Sequence, residues 1–233
     1  MWRTISFSLN AANFYLESNI RSFRAGSVTI RGCWRDYSES SVAKLYFYYS
    51  AMNAGKTTTL LQSSHNYVER GMTTLLLKPC TDDRENRQKI ISRIGLEADA
   101  HCFTSTEDLY DYSERLTRST NIDCVLVDEG QFLTSLQAQQ LGQIVDALGI
   151  PVLAYGIRTD FQGELFEGSK TLLAIADELV EIKTICHCGT KATMVVRFDE
   201  DGQPTQTGTQ IQIGGNETYV SMCRKHWKAT LGR

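Results

Sequence analysis

A short apolar run that breaks into a glycine-lysine turn and then into a helix is the most restrictive pattern in this 233-residue chain. Leu45 to Tyr49 reads as a buried strand, and Lys56 to Arg70 as a helix ended by Gly71. Between them, Ser50-Ala51-Met52-Asn53-Ala54-Gly55-Lys56-Thr57 fits the phosphate-loop pattern GxxxxGK(S/T), except that Ser50 replaces the first glycine. The alternation then repeats. Thr73 to Leu77, Ile122 to Val127 and Val152 to Tyr155 read as strands, and Leu179 to Lys183 as extended chain. A helix introduced by Thr106, capping Glu107 and Asp108, one from Ser135 to Leu148 stopped by Gly149, and one from Ser169 to Ala176 separate them. Strands alternating with helices imply an α/β fold: a parallel sheet of the P-loop NTPase kind, covered by helices on both faces.

The loop has a defined chemistry. Its backbone N–H groups and the positive end of the following helix form an anion cradle, and a lysine adds a point charge. Lys56 is placed to reach the β- and γ-phosphates, and Thr57 to offer its hydroxyl to Mg²⁺, a hard cation that prefers oxygen ligands. The strand Cys124-Val125-Leu126-Val127 ends in Asp128-Glu129, and carboxyl strand ends of an open parallel sheet face the ligand crevice. Adjacent carboxylates can divide the labour, with Asp128 holding the metal and Glu129 accepting a proton from an attacking hydroxyl.

Beyond Lys183 the chain turns to short segments rich in Gly, Thr and Gln. Cys186-x-Cys188, 34 further residues, and Cys223-x-x-His226 supply three thiolates and an imidazole, the donor set of a closed structural Zn²⁺ site. Cys33, Cys80, Cys102 and Cys124 stand without such partners and are expected to be packed or incidental. His65 and His101 read as ordinary polar residues, and His187, between two ligands, as turned outward.

Composition narrows the partners. Twenty-four basic against 27 acidic residues give a net charge of -3, which argues against a general nucleic-acid binder. No apolar run approaches the roughly 18 residues that a membrane span needs. Seven cysteines with no signal-peptide pattern favour a reducing compartment, so a cytoplasmic location is expected.

Several segments together carry a family resemblance: Tyr46 to Thr57, Asp128-Glu129-Gly130-Gln131-Phe132, Tyr155-Gly156-Ile157-Arg158-Thr159-Asp160-Phe161, and Ile213-Gly214-Gly215-Asn216-Glu217-Thr218-Tyr219. From about Ala43 to His226 the chain closely resembles the type II thymidine kinases, especially the proteobacterial ones, with the motifs in the family's order. The resemblance implies transfer of the γ-phosphoryl group of ATP to the 5′-hydroxyl of thymidine. It implies Glu129 as general base, Gln131 in the nucleotide-binding segment, and Asp82 and Arg84 of Thr81-Asp82-Asp83-Arg84 near the phosphates and metal. It further implies Phe132, Phe161 and Phe166 as aromatic lining of the nucleoside pocket. Gln210, Ile211, Gln212, Ile213, Gly214 and Tyr219 would lie on a zinc-anchored lasso that holds the base largely through main-chain groups. A homotetramer is the assembly it implies.

The resemblance divides the chain into an extension of residues 1–41, a nucleotide-binding domain at 42–183 and a zinc-binding lasso domain at 184–233. The extension holds five arginines and three acids, +2 against -5 for the remainder, and shows no apolar period. Relatives begin near Val42, which a GUG codon could encode, so Val42 is expected to be the initiator and 1–41 translated upstream sequence or a disordered extension. The rival reading is a P-loop ATPase with a zinc module, in which Asp128 and Glu129 activate water instead of a nucleoside.

Overall fold

The structure is a computed structural model that describes residues 43–80, 88–210 and 219–233. The expected boundary near Val42, and the predicted site residues Asp82, Arg84, Ile211, Gln212, Ile213 and Gly214, lie outside the described residues.

Strand β1 (Leu45–Ser50) leads through the glycine-lysine loop into helix α1 (Lys56–Val68) and on to β2 (Thr74–Pro79). Three short strands follow, β3 (Lys89–Ile91), β4 (Glu97–Asp99) and β5 (His101–Phe103), then α2 (Leu109–Thr117) and β6 (Cys124–Val127). Next come α3 (Ser135–Gln143), β7 (Val152–Ile157), α4 (Glu167–Ile175) and β8 (Glu178–Glu181). The main sheet has the order β5-β2-β6-β7-β1-β8, and every neighbouring pair is parallel. Strand β7 therefore sits between the loop-bearing β1 and the carboxylate-bearing β6, and the carboxyl ends of all three open on one edge.

Both faces are covered, as the apolar runs require. Leu45 and Phe47 of β1 pack with Val125, Val127, Val152 and Ala154 against Leu109 of α2, Leu141 of α3 and Leu172 of α4. Leu126, Leu153 and Tyr155 point the other way, onto Leu60 and Leu61 of α1. The period of two along each strand thus splits one apolar run between two cores.

The structure corrects the local reading in four places. Helix α2 starts later than expected: Asp108, with extended backbone, is its cap and accepts from the Asp111 N–H at 2.9 Å, in place of Thr106. The segment at 89–103 holds three strands of three residues each, too short for an alternating signal to register. The helix expected at 135–148 is regular only to Gln143 and continues as a wider turn to Leu148, ended by Gly149 at φ 68°. Its start carries a full capping box, with Thr134 and Gln137 serving each other's backbone. Finally, Cys80 and Cys102, read as unpartnered, are joined by a disulfide, because β2 and β5 are parallel neighbours and bring their Cα atoms to 5.3 Å.

After β8 the chain forms a small antiparallel unit: hairpin β9 (Thr184–Ile185) with β10 (Lys191–Ala192), and a sheet of β11 (Met194–Phe198), β12 (Pro204–Thr205) and β13 (Tyr219–Met222), closed by α5 (Arg224–Thr230). Its core is slight: Cys186, Ala192, Val196, Met222, Trp227 and Leu231. It is tied to the α/β core by polar bonds. Trp227 Nε1 donates to the Phe161 carbonyl at 3.1 Å, and Arg158 Nη2 to the Thr193 carbonyl at 3.2 Å.

Helix α4 approaches the turn after β6 very closely. A Cβ at Gly168 would collide with the Gly130 carbonyl oxygen and lie 2.8 Å from that of Leu133, both immovable backbone atoms. Gly168→Ala is therefore expected to lower stability by about 2–3 kcal/mol, or roughly 4–10 °C in melting temperature. Thermal unfolding followed by circular dichroism checks this, and an unchanged midpoint would refute the contact.

Candidate active site

The loop between β1 and α1 has backbone features suited to an anion. Asn53 and Gly55 adopt left-handed backbone, φ 60° and 78°. Such residues among right-handed neighbours curl successive amides into a concave nest. Only glycine adopts that conformation without steric penalty, which accounts for Gly55 just before the first helical residue. Lys56 is 7% exposed, and its ammonium donates to Ser50 Oγ and the Ala51 carbonyl, each at 3.2 Å. Burial pulls its pKa down, and the charges of Glu129 and Asp128 pull it back up. The serine standing for the motif's first glycine thus supplies an acceptor to the lysine, itself donating to the Ala51 carbonyl at 2.7 Å.

Asp128 ends β6 and is 5% exposed. Its Oδ2 accepts from Thr57 Oγ1 at 3.1 Å and its Oδ1 from the Glu129 N–H at 3.0 Å, so one hydrogen bond links the loop strand's helix to the carboxylate strand. Burial pushes the Asp128 carboxyl up to about 7, the adjacent Glu129 charge adding to the rise while the two hydrogen bonds and Lys56 oppose it. Glu129 sits at φ 50°, an uncommon conformation for a residue with a side chain, and opens the tight turn Gly130–Phe132. Gln131 holds it there: its Nε2 donates to Glu129 Oε2, and its Oε1 accepts from the Ile157 N–H at 3.0 Å. Gln131 itself is 2% exposed, so the clamp from β6 to the end of β7 is anchored on a buried amide.

The three aromatic residues predicted for a pocket are placed differently from one another. Phe132 is half-buried and meets Phe166 edge-on with ring centroids 6.0 Å apart. Phe161 is 1% exposed and lies beneath the Arg197 guanidinium, 3.8 Å from its ring centroid. Gln210 Nε2 donates to Asp160 Oδ2 at 3.0 Å, and Tyr219 is half-buried on β13 opposite Arg197.

Cys186, Cys188, Cys223 and His226 converge, with their ligand atoms all within 4.8 Å of one another. His226 Nδ1 is 3.4 Å from both Cys186 Sγ and Cys223 Sγ, and Cys188 Sγ is 4.0 Å from Cys223 Sγ. Tetrahedral zinc with Zn–S near 2.3 Å would set sulfurs about 3.8 Å apart, so the four residues fit that ion. The Thr190 hydroxyl lies 3.0 Å from Cys188 Sγ and pulls that thiol's pKa down, favouring the thiolate a metal requires. His187 is exposed, yet its ring is not turned away from the cluster: it lies 4.3 Å from the His226 ring, with Nδ1 3.6 Å from Cys186 Sγ.

Several residues that shape this region carried no signal as sites. Asp160, 5% exposed, accepts at Oδ1 from the Gln162 and Glu164 N–H groups at 2.9 and 2.8 Å and so folds the turn after β7. Arg197, 6% exposed, donates to the carbonyls of Thr207 and Thr209, each at 3.0 Å. Asp160 stood inside a quoted motif, and Arg197 in an ordinary apolar strand. Among the described residues no helix is long and apolar enough to cross a membrane.

Comparison with known proteins gives the chain a family. The family model "Thymidine kinase" matches residues 43–227. A thymidine kinase of Photobacterium profundum is 58% identical over 192 residues, 82% of this chain and 100% of that protein. One of Legionella pneumophila is 60% identical over 188 residues, 80% of this chain and 90% of the relative. One of Coxiella burnetii is 59% identical over 188 residues, 80% and 96% respectively.

The Asp128 environment yields a pH test. A carboxyl whose folded pKa lies above its ordinary value near 4 contributes stability fully below that value and loses it as pH rises through about 7. An asparagine does not ionise and keeps partners for Thr57 and the Glu129 amide. In protein free of nucleotide and Mg²⁺, the melting-temperature advantage of Asp128→Asn over the parent should grow between pH 5 and pH 8, reaching about 2–6 °C. A difference that stays flat with pH would contradict the buried-carboxyl assignment.

Proposed function

Because the chain belongs to the thymidine kinase family, we propose that it transfers the γ-phosphoryl group of ATP to the 5′-hydroxyl of thymidine, giving thymidine monophosphate and ADP. The observation that carries the reading is the hydrogen bond from Thr57 to Asp128, which fastens the phosphate loop and the Asp128-Glu129 pair into one site at the carboxyl edge of the sheet.

Phosphoryl transfer to an alcohol needs charge neutralisation at the γ-phosphate, an in-line hydroxyl and exclusion of water, so positioning and electrostatics supply most of the rate. The amides of Ser50 to Gly55 hold the phosphate oxygens, and the buried Lys56 ammonium turns from Ser50 Oγ and the Ala51 carbonyl to the β- and γ-phosphates. Thr57 Oγ1 and Asp128 Oδ2 are hard oxygen donors fit to hold Mg²⁺, which when bound spreads the charge developing on the phosphates. Glu129, fixed by Gln131, takes the proton of the 5′-hydroxyl through its carboxylate.

By family resemblance, Asp82 and Arg84 add to the phosphate and metal site, and Phe132, Phe161 and Phe166 line the nucleoside pocket. Gln210 to Gly214 and Tyr219 hold the base through main-chain groups. The Cys186, Cys188, Cys223 and His226 cluster holds a structural zinc that sets the end of that segment. By family resemblance the protein acts in the cytoplasm as a homotetramer.

Incubation of the purified protein with ATP, Mg²⁺ and each nucleoside in turn should yield monophosphate with thymidine. Release of inorganic phosphate alone, indifferent to nucleoside, would support the ATPase and overturn the kinase. Glu129→Gln should leave ATP affinity intact and lower turnover by about 10²–10⁴, whereas near-normal turnover would remove the proton-accepting role. Metal analysis should find one zinc per chain, and Cys223→Ser should lose it together with more than about 5 °C of melting temperature. A metal-free protein of full stability would sink the zinc assignment.

A further inference from the structure

The small C-terminal unit touches the phosphate loop itself. Ser221 lies in the middle of β13, opposite Val195 of β11, and its hydroxyl donates to the Met52 carbonyl at 2.6 Å across a sequence separation of 169 residues. Met52 is the third residue of the loop, half-buried, and the next residue is Asn53, the loop's non-glycine residue in left-handed backbone. There is no cis peptide bond among the described residues, so the Met52–Asn53 amide is trans and its N–H points opposite to its C=O.

From this arrangement we infer that Ser221 is a positioning residue for the triphosphate: by drawing the Met52 carbonyl toward β13 it aims the Asn53 N–H away from β13, into the phosphate cradle. The inference rests on the kinase reading and adds a residue to it. A phosphate loop works only if its carbonyls face out and its amides face in, since an inward carbonyl repels the anion that the amides attract. Glycine-rich loops leave each peptide plane free to rotate. Here Asn53 already holds an unfavoured φ of 60°, so a single external acceptor-donor bond decides which way the plane settles. Ser221 is well placed to hold it, because its own strand is braced from two sides. It pairs with β11, and two residues further on Cys223 joins the Cys186, Cys188 and His226 cluster. Among the described residues the hydroxyl's hydrogen bond goes to the phosphate loop, so its effect should fall on the triphosphate.

The test compares Ser221→Ala with Ser221→Thr, which keeps the hydroxyl, in the full chain. Steady-state KM is measured for ATP and for thymidine, binding of ATP alone by calorimetry, and melting temperature by circular dichroism. Ser221→Ala should weaken ATP binding and raise the ATP KM about five- to tenfold, the usual worth of one hydrogen bond between partly buried groups. Its thymidine KM should stay within about twofold of the parent, and Ser221→Thr should restore ATP affinity. An Ala variant with unaltered ATP affinity overturns the inference, and so does one in which both KM values rise together with a fall in melting temperature, or one that threonine does not rescue. In each case thymidine phosphorylation by the parent protein stands or falls separately, as the parent's own turnover reports on the kinase reading alone.

Discussion

A lysine ammonium kept out of water is the constraint around which the rest of the site is arranged. Lys56 is 7% exposed and is met, in this structure, by one hydroxyl and one carbonyl. Two neutral acceptors do not replace the hydration of a charge, and burial accordingly draws its pKa down. The nearby Asp128 and Glu129 oppose that shift, but they too are crowded, and burial with mutual repulsion drives the Asp128 carboxyl up. The site therefore gathers groups of both signs where burial disfavours their charged forms. Phosphates would satisfy the lysine, and a divalent cation would satisfy the carboxylate. The strain is of the kind that binding relieves, so the fold spends stability on readiness for a charged ligand.

The same logic explains why backbone is packed so closely behind the carboxylates. Glu129 adopts left-handed backbone, and such a residue persists only where the surroundings leave it no alternative. Gln131 ties the Glu129 side chain to the end of β7, and Gly168 lets α4 press against the Gly130 and Leu133 carbonyls from behind. Gly156, beside the turn, gives the same close approach from β7, as a Cβ there would sit 3.0 Å from the Gln131 nitrogen. Two glycines and one buried amide thus over-determine the position of one carboxylate. None of the three would be recognised as part of a site by its chemistry alone.

That difference marks what was legible in the sequence. The parallel sheet was readable because β1, β2, β6 and β7 are near-continuous apolar runs separated by helices, a pattern that strands buried on both faces require. The convergence of Cys186, Cys188, Cys223 and His226 was readable because metal ligands come in short-spaced pairs. Strands of three residues at 89–103 were not, since no period fits in three positions. The Cys80–Cys102 bond escaped because spacing carries no pairing signal outside known frameworks; it follows from the register of β2 with β5. Thr106 was preferred over Asp108 as a cap because both residue types can cap, and only backbone geometry separates them. Ser221 and Arg197 were invisible for a further reason: their partners are main-chain carbonyls, which every residue possesses, so neither partner leaves a mark in the sequence.

The small C-terminal unit shows why the metal-ligating cluster and the polar ties belong together. Among the described residues its buried apolar core consists of six, one of them an alanine and one a cysteine, a slight core for such a unit. A metal ion held by Cys186, Cys188, Cys223 and His226 would supply what the core lacks, joining the start of α5 to the β9–β10 hairpin. Yet a stable unit that floated free would do nothing for a site built on the neighbouring sheet. The bonds from Trp227 to Phe161, Arg158 to Thr193, Gln210 to Asp160 and Ser221 to Met52 each cross from one part to the other, and three of the four use a main-chain carbonyl. Main-chain carbonyls are fixed to the scaffold, so these ties transmit position with little slack. Three of the ties fix the small unit to the segment that follows β7, and the fourth, from Ser221, carries that position to the phosphate loop.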